Sequence, residues 1–221
     1  MKLAERTTSV LKNFNNINTS ILVKPGSTLE TMAASKKVIA RATVPDEFGQ
    51  EFAIFDLNRF LGALSLFKEP ELEFGDHSVA IKADGRRLDY VFASPETVLA
   101  PPAKGVRFPG PDAAPQVSFT LTAKTLTDVT KAAAVLGMKE LAISGRNGKL
   151  YFEVADTKNP TAHGYSVEVG ETEHRFRLVF VLEAFKFMPD DYEVTASLKR
   201  IAHFKGSVAE YYVVGEDTSQ V

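Results

Sequence analysis

One pattern of apolar and polar positions recurs four times along the chain: an extended apolar run, a short amphipathic stretch of helical period, then alternating strands joined by tight turns. The second occurrence is the plainest. Glu51-Phe52-Ala53-Ile54-Phe55 predicts a strand, and Asp56 follows where a side-chain oxygen would cap a helix. Leu57, Phe60, Leu61 and Leu64 then fall at i, i+3, i+4 and i+7, the spacing of one apolar helix face. Strands at 71–74, 79–82 and 88–92 complete a meander, with Asp84-Gly85 as a strong hairpin signal.

The third occurrence keeps this order. A strand at 117–121 precedes a helix over about 124–136, with Leu126, Val129, Ala133 and Leu136 on one side. Strands at 141–144 and 150–154 flank the turn Arg146-Asn147-Gly148. The first occurrence opens directly on its helix, with Leu3, Val10, Leu11 and Phe14 on one face. It continues with a strand at 21–23, a turn at Pro25-Gly26 and a strand at 37–42. The fourth predicts strands at 176–181, 192–195, 201–204 and 210–214, with a weak helix over 182–188. Prolines 95, 101, 102, 109, 111 and 115 break the repetition near mid-chain. The expected organisation is therefore α+β, with domains 1–94 and 116–221 joined by a Pro-rich linker at 95–115, two units in each domain.

Composition narrows the function classes. With 221 residues and 44% hydrophobic content the chain can fill two ordinary cores. The absence of cysteine excludes disulfides and thiolate metal sites, and fits an intracellular protein. No apolar run is long enough for a membrane span, and the N-terminus lacks the apolar core of a signal peptide, so no membrane partner is expected. A net charge of −2 argues mildly against a tight sequence reader of nucleic acid.

The placement of charge says more than its sum. On the first helical wheel Lys2, Arg6, Ser9, Lys12 and Asn13 lie opposite the apolar face, with Glu5 the one acid among them. Lys124 and Lys131 share an edge of the third helix, Arg59 is polar on the second, and Lys186 is the cation of the fourth. Acids such as Glu69, Glu71, Glu73, Glu168, Glu171 and Glu173 gather in turns and strand ends. A solvated helix face explains these lysines. So does a set of helices that presents cations to a polyanion while the outer surface stays acidic.

Catalytic chemistry finds little footing. His77, His163, His174 and His203 have no ligand spacing, and turn chemistry accounts for Asp84, Asp89, Asp190 and Asp191. There is no Gly-rich phosphate loop and no Gly-x-Ser-x-Gly. No enzymatic activity, metal or cofactor is expected.

Specific residues carry a resemblance. Leu11-Lys12-Asn13-Phe14, Ile17-Asn18, Ile21-Leu22, Asp56-Leu57-Asn58-Arg59-Phe60-Leu61 and Leu64-Ser65-Leu66 are similar to the sliding clamp of T4-like bacteriophages, the processivity factor of their DNA polymerase. The similarity runs on through Val106-Arg107-Phe108-Pro109 to Phe176, Val179, Lys186, Pro189, Tyr192, Val194, Phe204 and Tyr211. The stretches 26–49 and 147–173 depart from the pattern.

That resemblance implies the DNA-clamp fold: helices lining a central hole, sheets forming the outer wall, and head-to-tail contacts between edge strands. Helices about 10 Å across would cover about 120 Å of circumference in a homotrimer, a hole of roughly 38 Å for a duplex about 20 Å wide. It implies a sequence-independent grip on double-stranded DNA by Lys2, Arg6, Lys12, Arg59, Lys124, Lys131 and Lys186 across a water layer. Further implied partners are DNA polymerase and a clamp-loader ATPase complex, with the transcription machinery as a further partner of its relatives. Partner peptides would enter a pocket whose candidate lining is Val106, Phe108, Pro109, Tyr211, Tyr212 and Val213. The same aromatic residues also suit anchoring the linker and last strand to the core. A virus-encoded protein of this kind works in the host cell cytoplasm. Two other readings remain: a monomeric DNA-binding polymerase accessory protein, and a metal-dependent enzyme built on Asp84, Asp89 and His77.

Overall fold

The computed structural model describes residues 1–159 and 163–220. The chain divides into two compact units, Met1–Gly105 and Val106–Val221, the division falling inside the Pro-rich segment. Each unit takes up the part of that segment nearest to it. In the first, Leu99 accepts a hydrogen bond from Asn18 Nδ2; in the second, Pro109 accepts one from Gln116 Nε2.

The first unit runs α1 (Glu5–Asn15), β1 (Ile21–Val23), β2 (Gly26–Met32), β3 (Val38–Phe48), β4 (Phe52–Ile54), α2 (Leu57–Ser65), β5 (Glu71–Phe74), β6 (Ser78–Ala83) and β7 (Arg86–Val91). α1 buries Thr7, Val10, Leu11 and Phe14, and α2 buries Leu57, Phe60 and Leu64, so the periodicity of the sequence is the packing of the helices. Asp56 caps α2 by accepting from Arg59 N at 2.9 Å. β1 pairs antiparallel with β4, β2 with β3, and β5-β6-β7 form a meander. Asp84 and Gly85 turn the β6–β7 hairpin with φ of 50° and 74°, the left-handed pair that a tight hairpin needs. Phe48, Phe52, Phe74 and Phe92 form one aromatic cluster, with Phe52 stacked on Phe92 at 5.0 Å.

The second unit runs β8 (Gln116–Leu121), α3 (Ala123–Val135), β9 (Glu140–Arg146), β10 (Lys149–Ala155), β11 (Ser166–Glu171), β12 (Phe176–Val181), a 3-10 turn (Leu182–Phe185), β13 (Tyr192–Ser197), β14 (Ile201–Lys205) and β15 (Ala209–Val214). Its strands lie in two antiparallel orders, β11-β10-β9-β12 and β15-β14-β13-β8. Thr122 caps α3, which buries Leu126, Val129 and Ala133. Asn147 and Gly148, at φ of 53° and 77°, turn the β9–β10 hairpin.

Four expectations are corrected. α1 begins at Glu5, and Ala4 is extended with ψ of 150°, so Lys2 and Leu3 precede the helix. The leading segment is held out by the Met1 amine on Leu72 O and by Ala4 N on Asp46. The fourth unit carries a 3-10 turn in place of an α-helix. Phe185 is drawn into the core and Phe187 stacks on Tyr211 at 4.2 Å, while Pro189 cannot donate a further helical hydrogen bond. Among the described residues there are thus three α-helices, and the fourfold repetition is a repetition of strands. Finally, β2 and β11 lie where only turns were read: Gly-Ser-Thr and Ser-Val-Glu-Val-Gly look like loops until a neighbouring strand pairs with them.

Candidate functional site

Each helix presents its cations away from its own buried stripe. On α1, Arg6 and Lys12 are exposed beside Ser9, with Lys12 in the last turn and Glu5 in the first, as the helix dipole favours. Arg59 projects from the start of α2, its side chain 82% exposed and its Nε 3.0 Å from Asp56. On α3, Lys131 is exposed, and Lys124 pairs with Asp128 one turn on; that hydrogen bond and charge hold the Lys124 ammonium above its ordinary range.

The remaining two candidates sit off the helices. Lys2 pairs loosely with Glu69 at 3.7 Å, and Lys186 is an exposed residue at the end of the 3-10 turn. Ion pairs as exposed as Lys124–Asp128 contribute little to stability because water screens them, so these cations exchange partners readily. A surface of this kind can attract a polyanion without fixing it.

The six candidate pocket residues separate by strand alternation. Tyr211 and Val213 are fully buried on the core side of β15. They are therefore not pocket lining: Tyr211 stacks on Phe187, and its hydroxyl accepts the Met188 N–H at 3.0 Å. Burial pushes the Tyr211 phenol up to about 12, against the Met188 N–H, which favours phenolate.

Tyr212 lies on the other side, half-buried, and there it meets Phe108. Its ring stacks on His203 at 4.3 Å with an interplanar angle of 1°, and the Phe108 ring sits 6.0 Å from His203. His203 Nε2 is 2.8 Å from Glu210 Oε2, which also accepts from the Tyr212 hydroxyl at 3.3 Å. Val106 and Pro109 are half-buried in the same approach to β8. His203 was absent from the sequence-based set. The β14–β15 register, which places it opposite Tyr212, is the signal that would have found it.

The carboxylates weighed for acid–base work are engaged in local structure. Asp84 pairs with Arg86, and Asp89 accepts from Arg87, whose hydrogen bond holds the carboxyl below its usual range. His77 is exposed in the β5–β6 turn. Burial works against charge on Asp190, but hydrogen bonds from Ser207 and neighbouring backbone N–H groups outweigh it and keep its pKa low. Asp191 caps α3 through Ala123 N. Among the described residues no three His, Asp or Glu converge as metal ligands, and no helix is long and apolar enough to cross a membrane.

Comparison with known proteins gives these surfaces a context. The DNA polymerase processivity factor family matches residues 2–85, and the family described as gp45 sliding clamp, C terminal, matches residues 118–217. The sliding clamp of Vibrio phage KVP40 is 33% identical over 98% of this chain and 99% of its own. That of Enterobacteria phage T4 is 31% identical over 99% and 98%. Among solved structures, the A. fulgidus PCNA bound to the C-terminal region of FEN-1 matches in fold at 12% identity, with a TM-score of 0.68 over 97% of this chain and 96% of that one.

Proposed function

Because the chain belongs to the sliding-clamp family of phage DNA polymerase processivity factors, we propose that three copies close head to tail into a ring that encircles duplex DNA and tethers the replicative polymerase. A processivity factor is not an enzyme, and the role asked of these residues is topological.

The observation that carries the ring is a pair of sheet edges in one chain with opposite charge. β7 ends the first unit's meander and bears exposed Arg86, Arg87 and Val91, and Asp89 on the same strand is paired with Arg87, so the strand carries a net positive charge. β11 ends the second unit's sheet and bears exposed Glu168 and Glu171 with Val167 and Val169 between and beside them. Two unlike edges pair heterologously, and a heterologous contact either closes as a ring or propagates as a fibre. Three copies would bring nine α-helices and three 3-10 turns to the bore. At about 10 Å each, nine helices span about 90 Å of circumference, or roughly 29 Å across, still wider than a duplex of about 20 Å.

Inside such a ring Arg6, Lys12, Arg59, Lys124 and Lys131 would face the phosphates from the helices, with Lys2 and Lys186 at their margins. Scattered cations with no base-edge readers give attraction without register, so the duplex slides. Acids on the outside would repel DNA from the wrong surface.

Polymerase, a clamp-loader ATPase and the transcription machinery would dock by short apolar peptides. The likeness to a PCNA fold that binds a FEN-1 segment supports this, and the half-buried Phe108, His203 and Tyr212 face is the place we assign to it. The site of action would be the host cell cytoplasm.

Sedimentation equilibrium tests the ring. The expected species has three times the 24.2 kDa chain mass, dissociates when Arg86 and Arg87 are both changed to Glu, and re-forms when Glu168→Lys and Glu171→Lys are added to the same chain, which restores all three contacts of the ring. Loaded on circular DNA, the protein should be retained until the DNA is linearised. A strict monomer at micromolar concentration that stays bound to short linear duplexes would instead support a monomeric accessory protein.

A further inference from the structure

The sheet β11-β10-β9-β12 has a second face, and alternation sets its contents. Leu150, Phe152, Ile143 and Leu178 point to the core, so Ser144, Arg146, Tyr151, Glu153 and Arg177 point the other way. There Ser144, Arg146, Glu153 and Arg177 floor a concavity of about 500 Å³ that Arg175 and Gln220 also line.

Its charge is unbalanced. Glu153, only 7% exposed, accepts from Ser144 Oγ at 2.8 Å and pairs with Arg146 Nη1 at 2.8 Å. Arg177 Nε is 3.7 Å from the same carboxylate, too far to hydrogen bond, and this buried N–H has no hydrogen-bond partner among the described residues. Arg146 is fixed from below as well, its guanidinium 4.0 Å over the Tyr151 ring. Arg175 is exposed at the rim. Two guanidinium groups thus flank one carboxylate and a third lines the same concavity, which leaves two positive charges over at this spot. Among the described residues the neighbouring charges offset them only in part: Lys149 is shared by Glu168 and Glu171 at 3.0 Å each, which leaves one acid in excess there, and those acids lie on β11, with β10 and β9 between them and Arg177 on β12.

We propose that this concavity binds an acidic peptide segment of a partner protein, its carboxylates pairing with Arg175, Arg177 and the open side of Arg146. Guanidinium groups match carboxylates in planar, two-point hydrogen bonds, and an arginine held over an aromatic ring loses little freedom on pairing. A protein occupant is favoured over nucleic acid because the face lies on the side of the sheet opposite the core that α3 covers. In the ring proposed above, on which this choice of occupant rests, that side is turned from the bore. The site is also distinct in chemistry from the Phe108, His203 and Tyr212 face, which offers aromatic surface, so the two could select different partners or two parts of one partner.

Fluorescence anisotropy with a labelled peptide of about eight residues rich in Asp and Glu tests the assignment. The expected result is saturable binding that the Asn/Gln counterpart peptide lacks. Arg175→Ala, at an exposed side chain, should weaken it roughly tenfold, the effect of one charge-assisted contact. Glu153→Gln keeps the Ser144 hydrogen bond while removing the competing charge, and should tighten binding several-fold; a merely structural role for this cluster would give no such gain. Arg177→Ala should abolish binding, with thermal melting used to confirm that the variant is folded. Equal binding of the neutral peptide would overturn the proposal. So would unchanged affinity in both Arg175→Ala and Glu153→Gln, or competition by inorganic phosphate or a short duplex at the same concentration as the peptide. The measurement needs no DNA loading, and sedimentation of the same samples reports the ring separately, so failure of one reading is distinguishable from failure of the other.

Discussion

Tyr211 and Tyr212 are neighbours in sequence and opposite in role, and a pair of truncations should separate them. Tyr211 is fully buried, stacked at 4.2 Å on Phe187 and hydrogen-bonded to Met188 N, while Tyr192 donates to Met188 O from the same cluster. Replacing a buried aromatic by Ala costs about 3–5 kcal/mol. Tyr211→Phe keeps the ring but strands the Met188 N–H, a loss of about 1–3 kcal/mol. Tyr212 is half-buried on the outer side, where stacking on His203 adds about 0.5–1.5 kcal/mol to the partial burial of its ring, so Tyr212→Ala should cost clearly less than Tyr211→Ala while weakening partner-peptide binding. Urea unfolding at one fixed protein concentration reads these differences as midpoint shifts with unchanged slope.

The pH dependence has a definite sign. The folded-state pKa of Tyr211, about 12, lies above the unfolded value of about 10. Its stabilising contribution is whole below pH of about 10 and is lost as pH rises toward 12, up to about 3 kcal/mol. Tyr211→Phe should flatten that alkaline decline. If Tyr212→Ala destabilised as much as Tyr211→Ala, or if Tyr211→Phe were neutral with an unchanged alkaline profile, the assignment of the two faces would be wrong.

Three further outcomes follow from single residues. Gly145→Ala would place a Cβ 2.2 Å from His174 O and 2.8 Å from the Phe176 ring, so it should destabilise the protein by roughly 1–3 kcal/mol or more, seen as a lowered melting temperature. Asp56→Ala removes the α2 cap and the Arg59 partner together. It should cost about 1 kcal/mol in urea unfolding without lowering DNA retention, because Arg59 keeps its charge. Lys131→Glu should leave stability within about 0.5 kcal/mol but shorten processive synthesis, most visibly at low salt, where the attraction is least screened; unchanged processivity across a salt series would remove Lys131 from the DNA-facing set.

The apolar stripes of α1, α2 and α3, the Asp56 cap and the Asp84-Gly85 and Asn147-Gly148 hairpins were legible in the sequence, because each depends on residues within a few positions of one another. The cationic faces of the helices were legible for the same reason: a known period fixes which side chains oppose the buried stripe. Long-range pairing decided the rest. β2 and β11 are strands because β3 and β10 lie beside them, and the 182–188 stretch gave up an α-helix when Phe185 and Phe187 found partners in Phe152, Phe204 and Tyr211. Register alone turned Tyr211 inward and set His203 against Tyr212, and it gathered Arg146, Glu153 and Arg177 from three strands onto one face. A local period shows which side of its own element a residue takes, but only the packed sheet says what waits on that side.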